Sequence, residues 1–168
     1  RPNADAARRL VDSIWPRVRA QRPAAELVVV GPGSEAFAPF GRGFVTDLHG
    51  LLTGAAVAVA PLAHGAGTRT KILDAWAHGV PVVSTAVGAE GLGAVDGVHL
   101  LLADDDRSFA AAIDRVLAAP ELAAALAAAG HQQVAMRFGR ARVIADVRGL
   151  LRGVAGSGVP ATALVGRS

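Results

Sequence analysis

Residues 65–85 read GAGTRTKILDAWAHGVPVVST, and this stretch decides the fold class of the chain. Its first glycines predict a turn, the residues from about 69 to 77 have a helical pattern, and Gly79 is a typical helix end. The run 81–85 then predicts a buried strand. Loop, helix and strand in this order form the repeating unit of an α/β protein.

Short apolar runs on both sides of this segment predict further strands. Residues 26–30, 43–45 and 55–62 come before it, and 99–102 come after it. Strands that alternate with helices predict a Rossmann-like parallel sheet with helices on both faces.

Helices account for most of the remaining chain. The first has apolar positions from 10 to 18, with Asn3 as its expected N-cap and Pro16 expected to bend it. Further helices are expected after Asp47, from Asp105, from Pro120 and from Val143. We therefore expect one Rossmann-like α/β domain over 1–152 and a flexible tail, rich in Gly, Ser, Pro and Ala, over 153–168.

The composition favours a globular protein and excludes several kinds of site. The chain has 168 residues, of which 52% are hydrophobic and 18% are charged, and it contains no cysteine. A disulfide framework and thiolate metal ligands are therefore excluded, and no apolar run approaches the roughly 18 to 20 residues of a membrane span. Because no targeting segment is visible, a cytoplasmic location is expected.

The positive charge follows helices rather than a nucleic-acid footprint. The net charge is +3, and the arginines concentrate in 8–22 and 137–152. Aromatic residues make up 4% of the chain, too few for stacking platforms, so solvated helix faces are favoured and no nucleic acid is expected as a partner. Peripheral contact of a basic helix with the inner membrane surface remains an alternative.

Three glycine-rich loops follow predicted strands, at 31–33, 64–68 and 88–91. Ligands of open parallel sheets bind outside the carboxyl ends of the strands, so these loops are expected to frame one crevice. In the second loop, Gly65 and Gly67 allow close backbone approach to a ligand, and the following helix presents free N–H groups at its positive dipole end. This pattern predicts an anion site.

Side chains at the start of that helix suit a diphosphate better than a single carboxylate. Thr68 adds a hydroxyl, and Arg69 and Lys71 add positive charge. Lys71 is the only lysine among the 17 cationic residues, which favours a need for a compact ammonium at this position. The alternative is a plain strand-to-helix turn with surface cations.

Asp74 and His64 are further candidates for the same site. Asp74 lies three residues after Lys71 on nearly the same helix face, where its carboxylate can accept both hydroxyls of a ribose. His64 precedes the loop and can donate to a phosphate or a sugar hydroxyl. The alternatives are a surface pair of Lys71 with Asp74 and an ordinary loop histidine. Residues 104–106 are interpreted as a helix cap, and neither a metal site nor a hydrolase nucleophile is predicted.

Residues 65–85 resemble the signature of group 1 glycosyltransferases, and residues 88–92, GAEGL, continue it. Residues 2–3, 27–31 and 43–48 match in the same order, so the similarity runs from 1 to about 138. The resemblance implies the C-terminal, donor-binding half of a retaining GT-B enzyme. In that fold two Rossmann-like domains face a cleft, and the C-terminal one holds a UDP-, GDP- or similar sugar without a metal or other cofactor.

The resemblance also implies roles for individual residues. Arg69 and Lys71 fall where the donor diphosphate is met and are the catalytic candidates, while Asp74 matches the acidic residue that grips the ribose. The other nucleotide-sugar-binding candidates are Gly31, Phe44, Val45, Leu51, His64, Gly65, Ala66, Gly67 and Thr68. Among them, Phe44 and Val45 lie beside the base and Leu51 covers it.

Two features depart from the family pattern. Ala66 replaces the first Glu of the Glu-x7-Glu pair, which normally contacts the donor sugar, and Asp74 is one methylene shorter than the second. The family's domain also opens with a central strand just before residue 2, so we expect an acceptor domain and that strand to come from an upstream segment, or the strand from a second chain. A non-catalytic nucleotide-binding module and a GT-B sugar epimerase are the rival interpretations.

Overall fold

The computed structural model describes residues 2–65 and 69–138. At its centre lies a parallel sheet of three strands in the order β1 (Ala58–Ala60), β2 (Val82–Ser84) and β3 (Leu101–Leu102). The strands predicted over 55–62, 81–85 and 99–102 are therefore confirmed, although each is shorter than its apolar run. This order places β2, the strand at the end of the segment 65–85, in the middle of the sheet.

Helices cover both faces of this sheet. Val83 packs in one cluster with Ile14 and Phe109, whereas its neighbour Val82 packs in another with Ile72 and Trp76. Successive side chains of a strand point to opposite faces, so these two clusters are the two sides of one doubly covered sheet. The strands are apolar except for the buried Ser84, whose hydroxyl donates to the Ala60 carbonyl at 3.3 Å, because helices cover both faces of the sheet.

The first helical stretch covers one face and contains an irregular turn. It consists of α1 (Pro2–Arg9), a π-helical turn (Leu10–Ile14) and α2 (Trp15–Gln21). The irregularity expected at Pro16 takes the form of this wider turn, which accommodates a residue that lacks an N–H and whose ring crowds the carbonyl four residues earlier.

The expected N-cap role of Asn3 is wrong. Helix α1 begins at Pro2, so Asn3 lies inside its first turn. Proline is favoured at a first helical position because its missing N–H would have no partner there. The Asn3 side chain instead accepts a hydrogen bond from Lys71 at 3.2 Å.

The strands predicted over 26–30 and 43–45 are also absent as strands. Val29 makes a single parallel bridge, and its partner is Gly41 rather than a residue of 43–45. The intervening chain folds into a 3-10 helix (Ser34–Phe37), and a Cβ atom on Gly41 would lie 1.8 Å from the Ser34 carbonyl oxygen. This compact turn leaves only one residue pair in ladder register.

The remaining helices are α3 (Leu48–Thr53), α4 (Thr70–Ala77), α5 (Ala86–Ala89), α6 (Asp106–Ala118) and α7 (Pro120–Arg137). All but α5 begin close to the predicted positions, and α5 ends inside the predicted glycine-rich loop 88–91. Asp47 and Asp105 cap α3 and α6 through their carboxylates, and Gly79 follows α4 with φ +67°. The helix predicted from Val143, the tail over 153–168 and the boundary at 152 lie outside the described residues.

Helix α7 packs directly on α4. The fully buried indole of Trp76 lies against Gly130, where a Cβ atom would come within 2.3 Å of the ring, and its N–H donates to the His99 carbonyl at 3.0 Å. The absence of a side chain at Gly130 therefore sets the close approach of the two helices.

Within residues 2–65 and 69–138, no helix combines the length and apolarity that a membrane crossing requires.

Candidate functional site

Thr85 fastens the segment after β1 to the segment after β2. Its hydroxyl donates to the Leu62 carbonyl at 2.6 Å and accepts the Gly88 N–H at 2.9 Å, which also caps α5. Both loops therefore lie at one edge of the sheet, where the carboxyl ends of parallel strands meet. This is the edge at which such sheets bind ligands.

Arg9 supports the same edge from α1. Its guanidinium donates to the carbonyls of Pro61 and Asp104 and forms an ion pair with Asp106 at 2.6 Å. Pro61 follows β1, Asp104 follows β3, and Asp106 begins α6. Sequence patterns did not reveal this role, since Arg9 is one of several arginines on the first helix.

The start of α4 combines a close backbone approach with a free helix end. Gly65 has φ +121°, and a Cβ atom there would lie 3.1 Å from Pro2 of α1. Helix α4 then begins at Thr70 without a side-chain cap, so its first N–H groups are available to a ligand. The candidates Ala66, Gly67 and Thr68 lie outside the described residues.

Lys71 and His64 lie at this edge as exposed side chains. The Lys71 ammonium donates to the Asn3 side chain at 3.2 Å, and His64 Nε2 is 3.5 Å from an Asp5 carboxylate oxygen. Both partners belong to α1, so this helix forms one wall of the candidate site. Lys71 keeps donors for a ligand, because an ammonium has three.

Arg69 is placed differently from Lys71. Its side chain is only 8% exposed, and one terminal nitrogen donates to the Gly65 carbonyl at 3.2 Å and to Glu90 at 3.3 Å. Its Nε is buried without a hydrogen-bond partner among the described residues. Arg69 therefore stabilises the backbone at Gly65, and its charged group lies at the carboxyl edge beside Glu90. Glu90 belongs to the third glycine-rich loop, and the sequence alone predicts no functional role for it.

Asp74 lies one turn beyond Lys71 on α4 and is exposed. Its backbone carbonyl accepts from the His78 ring at 2.7 Å, while within the described ranges its carboxylate has no hydrogen bond or ion pair. The alternative interpretation, a surface pair of Lys71 with Asp74, is therefore not formed, because the Lys71 ammonium donates to Asn3 instead. The Asp74 carboxylate can accept two hydroxyls.

The candidates for base contact form a second group. Gly31 has φ +118° and donates its N–H to the Gly43 carbonyl at 2.8 Å, so it lies beside Phe44, whose ring is 74% exposed. Val45 is half-buried, and Leu51 on α3 is exposed.

Leu52, the neighbour of Leu51, packs against the cluster that contains Ile72 of α4. Helix α3 therefore stands beside α4, although no hydrogen bond or ion pair between described residues joins the two groups.

Other features of the described residues lie apart from this edge. A cleft of about 490 Å³ is lined by His49, His78 and His131 with Thr53, Ala77 and Gly79, near the end of α4 that is remote from Gly65. In the described part of the chain, no group of three or more His, Cys, Asp or Glu is arranged to hold a metal ion. The groups that the fold brings together at the carboxyl edge are therefore an exposed ammonium, the free N-terminal end of α4 and exposed carboxylates.

Comparisons with known proteins identify the family from one match and the fold from another. Residues 1–119 match the family described as glycosyl transferases group 1. The chain is 38% identical over 64 residues to an uncharacterized 44.6 kDa protein in the cps region of Klebsiella pneumoniae, a match that covers 38% of this chain and 16% of that protein.

A sucrose-phosphate synthase from Thermosynechococcus elongatus is similar in structure. The match has a TM-score of 0.56 and 21% identity, and it covers 84% of this chain and 49% of the synthase chain. At that identity the likeness shows the fold alone. The chain thus spans a small part of the Klebsiella protein and about half of the synthase.

Proposed function

The chain belongs to the group 1 glycosyltransferases and has the fold of one part of a GT-B enzyme, and we propose that its carboxyl edge binds a nucleoside-diphosphate sugar. The observation that carries the proposal is the start of α4, where an exposed Lys71 stands beside uncapped helix N–H groups after a glycine turn. A doubly charged diphosphate matches this combination, because helix N–H groups and an ammonium both favour negative charge.

Arg69 adds charge to the same position without being freely exposed. Its side chain is 8% exposed, so its charge is screened less than that of a surface cation. We propose that the diphosphate contacts Lys71 and the loop 65–68, and that Arg69 attracts it through its charge without direct contact, from its position beside Glu90. His64, at the start of the loop, would donate to a phosphate or sugar hydroxyl.

Asp74 and the candidates for base contact complete the proposed donor-binding site. The free carboxylate of Asp74 would accept the ribose hydroxyls, one turn along α4 from the diphosphate. Phe44 and Val45 would flank the base and Leu51 would cover it, which supplies a reason for a phenyl ring that is 74% exposed. Gly31 keeps this turn close through its bond to Gly43.

We propose that the whole protein is a retaining hexosyltransferase that needs no metal. The donor bound here would pass its sugar to an acceptor held across the cleft by a separate N-terminal domain, since reaction between the two requires proximity. The expected activity of the 168 residues alone is donor binding without transfer.

The test is the affinity of the protein for UDP, GDP and ADP, measured by titration calorimetry. A charge-assisted contact contributes about 1.5 to 3 kcal/mol, so Lys71→Ala is expected to weaken binding of the preferred nucleotide roughly ten- to a hundredfold. Arg115→Ala, which removes an exposed cation from α6, is the matched control and should leave the affinity within about twofold.

A second variant separates ligand binding from structural support. Asn3→Ala removes the partner of Lys71 but keeps the ammonium, so nucleotide affinity should change little. Unchanged affinity in a folded Lys71→Ala protein would remove Lys71 from the site. If wild type binds none of the three nucleotides, the proposed function is wrong.

One observation favours a second candidate function, a nucleotide-binding module without transfer. Ala66 stands where the family pattern has the Glu that contacts the donor sugar. The whole protein, assayed for donor hydrolysis and sugar transfer, distinguishes the two candidates. Nucleotide binding with neither reaction would favour the module.

A further inference from the structure

Glu90 presents an anchored carboxylate at the same edge as the proposed diphosphate site. It is the residue after α5, the short helix that follows the carboxyl end of β2, and its side chain is 75% exposed. One carboxylate oxygen is 3.3 Å from the Arg69 guanidinium. No hydrogen bond from a described residue reaches the other oxygen, which leaves an acceptor open to solvent.

The partner of Glu90 is unusually well fixed for a surface ion pair. The Arg69 side chain is 8% exposed and its guanidinium also donates to the Gly65 carbonyl. Burial and this second hydrogen bond restrict the movement of the Arg69 side chain. Exposed ion pairs contribute little to stability, partly because two mobile side chains must be ordered. Here the cation is already ordered by burial, so the pair mainly fixes the position of the carboxylate.

The local charges restrict what that carboxylate can bind. A second anion is disfavoured beside it, so the diphosphate belongs on the side of Lys71 and the uncapped start of α4. A neutral group rich in hydroxyl donors is favoured, because an ionised carboxylate accepts several hydrogen bonds and those to a charged acceptor are the stronger ones. The sugar of a nucleoside-diphosphate sugar is such a group and is joined to the diphosphate.

We propose that Glu90 is a donor-sugar residue, which accepts hydroxyl hydrogen bonds through the oxygen that Arg69 leaves free. This inference rests on the proposed function. It assigns to the loop after β2 the carboxylate that recognises the hexose, and it makes Arg69 the positioning residue for that carboxylate. Sugars whose hydroxyl groups are inverted at the contacted carbons would bind less well.

The experiment compares each nucleotide with its sugar form on the full chain. Calorimetry gives the affinities for UDP and UDP-glucose, GDP and GDP-mannose, and ADP and ADP-glucose, and the ratio within each pair isolates the sugar. Glu90→Gln is expected to lower the affinity for the preferred nucleotide sugar by about tenfold and to leave that for the bare nucleotide within about twofold. Glu26→Gln, an exposed glutamate before β1, is the matched control and should change neither.

Three outcomes are distinguishable. If Glu90 only neutralises Arg69, Glu90→Gln changes both members of a pair equally and the inference is overturned. If it has no role, neither affinity changes, and the inference is again overturned. If wild type binds neither member of any pair, the proposed function fails and this inference with it. Arg69→Ala, in a protein with an unchanged circular dichroism spectrum, should also reduce the ratio, because the carboxylate loses its fixed position.

Discussion

Asp74 offers the most direct test of how the proposed donor would lie along α4. Its exposed carboxylate has no partner in the described residues, and it stands one turn from Lys71. If it accepts the ribose hydroxyls, wild type should prefer a ribonucleotide over the 2′-deoxy form by about tenfold, since one hydrogen bond to a charged acceptor is lost. Asp74→Asn should reduce this preference towards unity, as measured by calorimetry with both nucleotides.

The control for Asp74 is Asp12→Asn, which changes another exposed aspartate on the first helical stretch and should keep the full preference. Persistence of the preference in Asp74→Asn would place the ribose elsewhere. The same experiment separates Asp74 from Lys71, because loss of Lys71 should weaken both nucleotides equally.

At the scale of a secondary-structure element, α6 depends on a single capping side chain. The Asp105 carboxylate accepts the Ser108 hydroxyl at 2.6 Å and the backbone N–H groups of Ser108 and Arg107. These bonds, led by the Ser108 hydroxyl, hold the pKa of Asp105 below its ordinary value of 3.8. Loss of an N-cap destabilises a helix, so Asp105→Ala should lower the Tm by roughly 2 to 8 °C at pH 7.

The lowered pKa sets the pH dependence of this difference. A carboxyl group whose pKa is depressed on folding stabilises the protein fully above its unfolded pKa, and the contribution is lost as the pH falls through the folded pKa. The Tm difference between wild type and Asp105→Ala should therefore be constant from pH 5 to 7 and shrink below about pH 4. Asp105→Asn keeps an acceptor that does not titrate, so the Tm difference between Asp105→Asn and Asp105→Ala should stay constant with pH. If that difference also shrinks below about pH 4, the titration of Asp105 is not the cause.

At the scale of the whole molecule, Arg9 joins the first helix to the carboxyl edge of the sheet. It bonds two backbone carbonyls and Asp106, and its side chain is 19% exposed. Removing it leaves three acceptors without their donor, so Arg9→Ala should lower the free energy of unfolding by about 1 to 3 kcal/mol in urea denaturation. Arg9→Lys should rescue little, because one ammonium does not reproduce the planar fork.

Arg8→Ala is the matched control, since the neighbouring arginine is exposed, and it should stay within about 0.5 kcal/mol of wild type. Equal effects of the two substitutions would show that helix propensity, rather than the bridge across the edge, explains the loss. Nucleotide affinity should fall in Arg9→Ala as well, because the α1 wall of the site would lose its anchor.

Local patterns in the sequence predicted the elements that surround the site. Helix α4 and its end at Gly79 follow from a helical run and a residue that tolerates φ +67°. The carboxylate caps at Asp47 and Asp105 follow from side chains that bond backbone N–H groups two or three residues away. The local patterns predicted a parallel α/β sheet, and the family resemblance identified it as part of a GT-B fold. The residue roles that the resemblance implies remain predictions.

Predictions failed where the partner was distant in sequence. Asn3 was expected to cap α1 but bonds Lys71, 68 residues away. The apolar run 26–30 was expected to be a strand, yet only Val29 pairs, because strand formation needs a partner in register as well as apolar side chains.

The sequence by itself determined the three strands of the sheet, most of the helices and the glycine that precedes α4 with a positive φ, because backbone sterics and local hydrogen bonds act over a few residues. Only the tertiary structure decided that Arg9 holds the carboxyl edge and that Arg69 is buried against Glu90, 21 residues away. The physical reason is that burial and charge pairing depend on which residues the folded sheet brings together. Similar arginines in the chain thus have different environments.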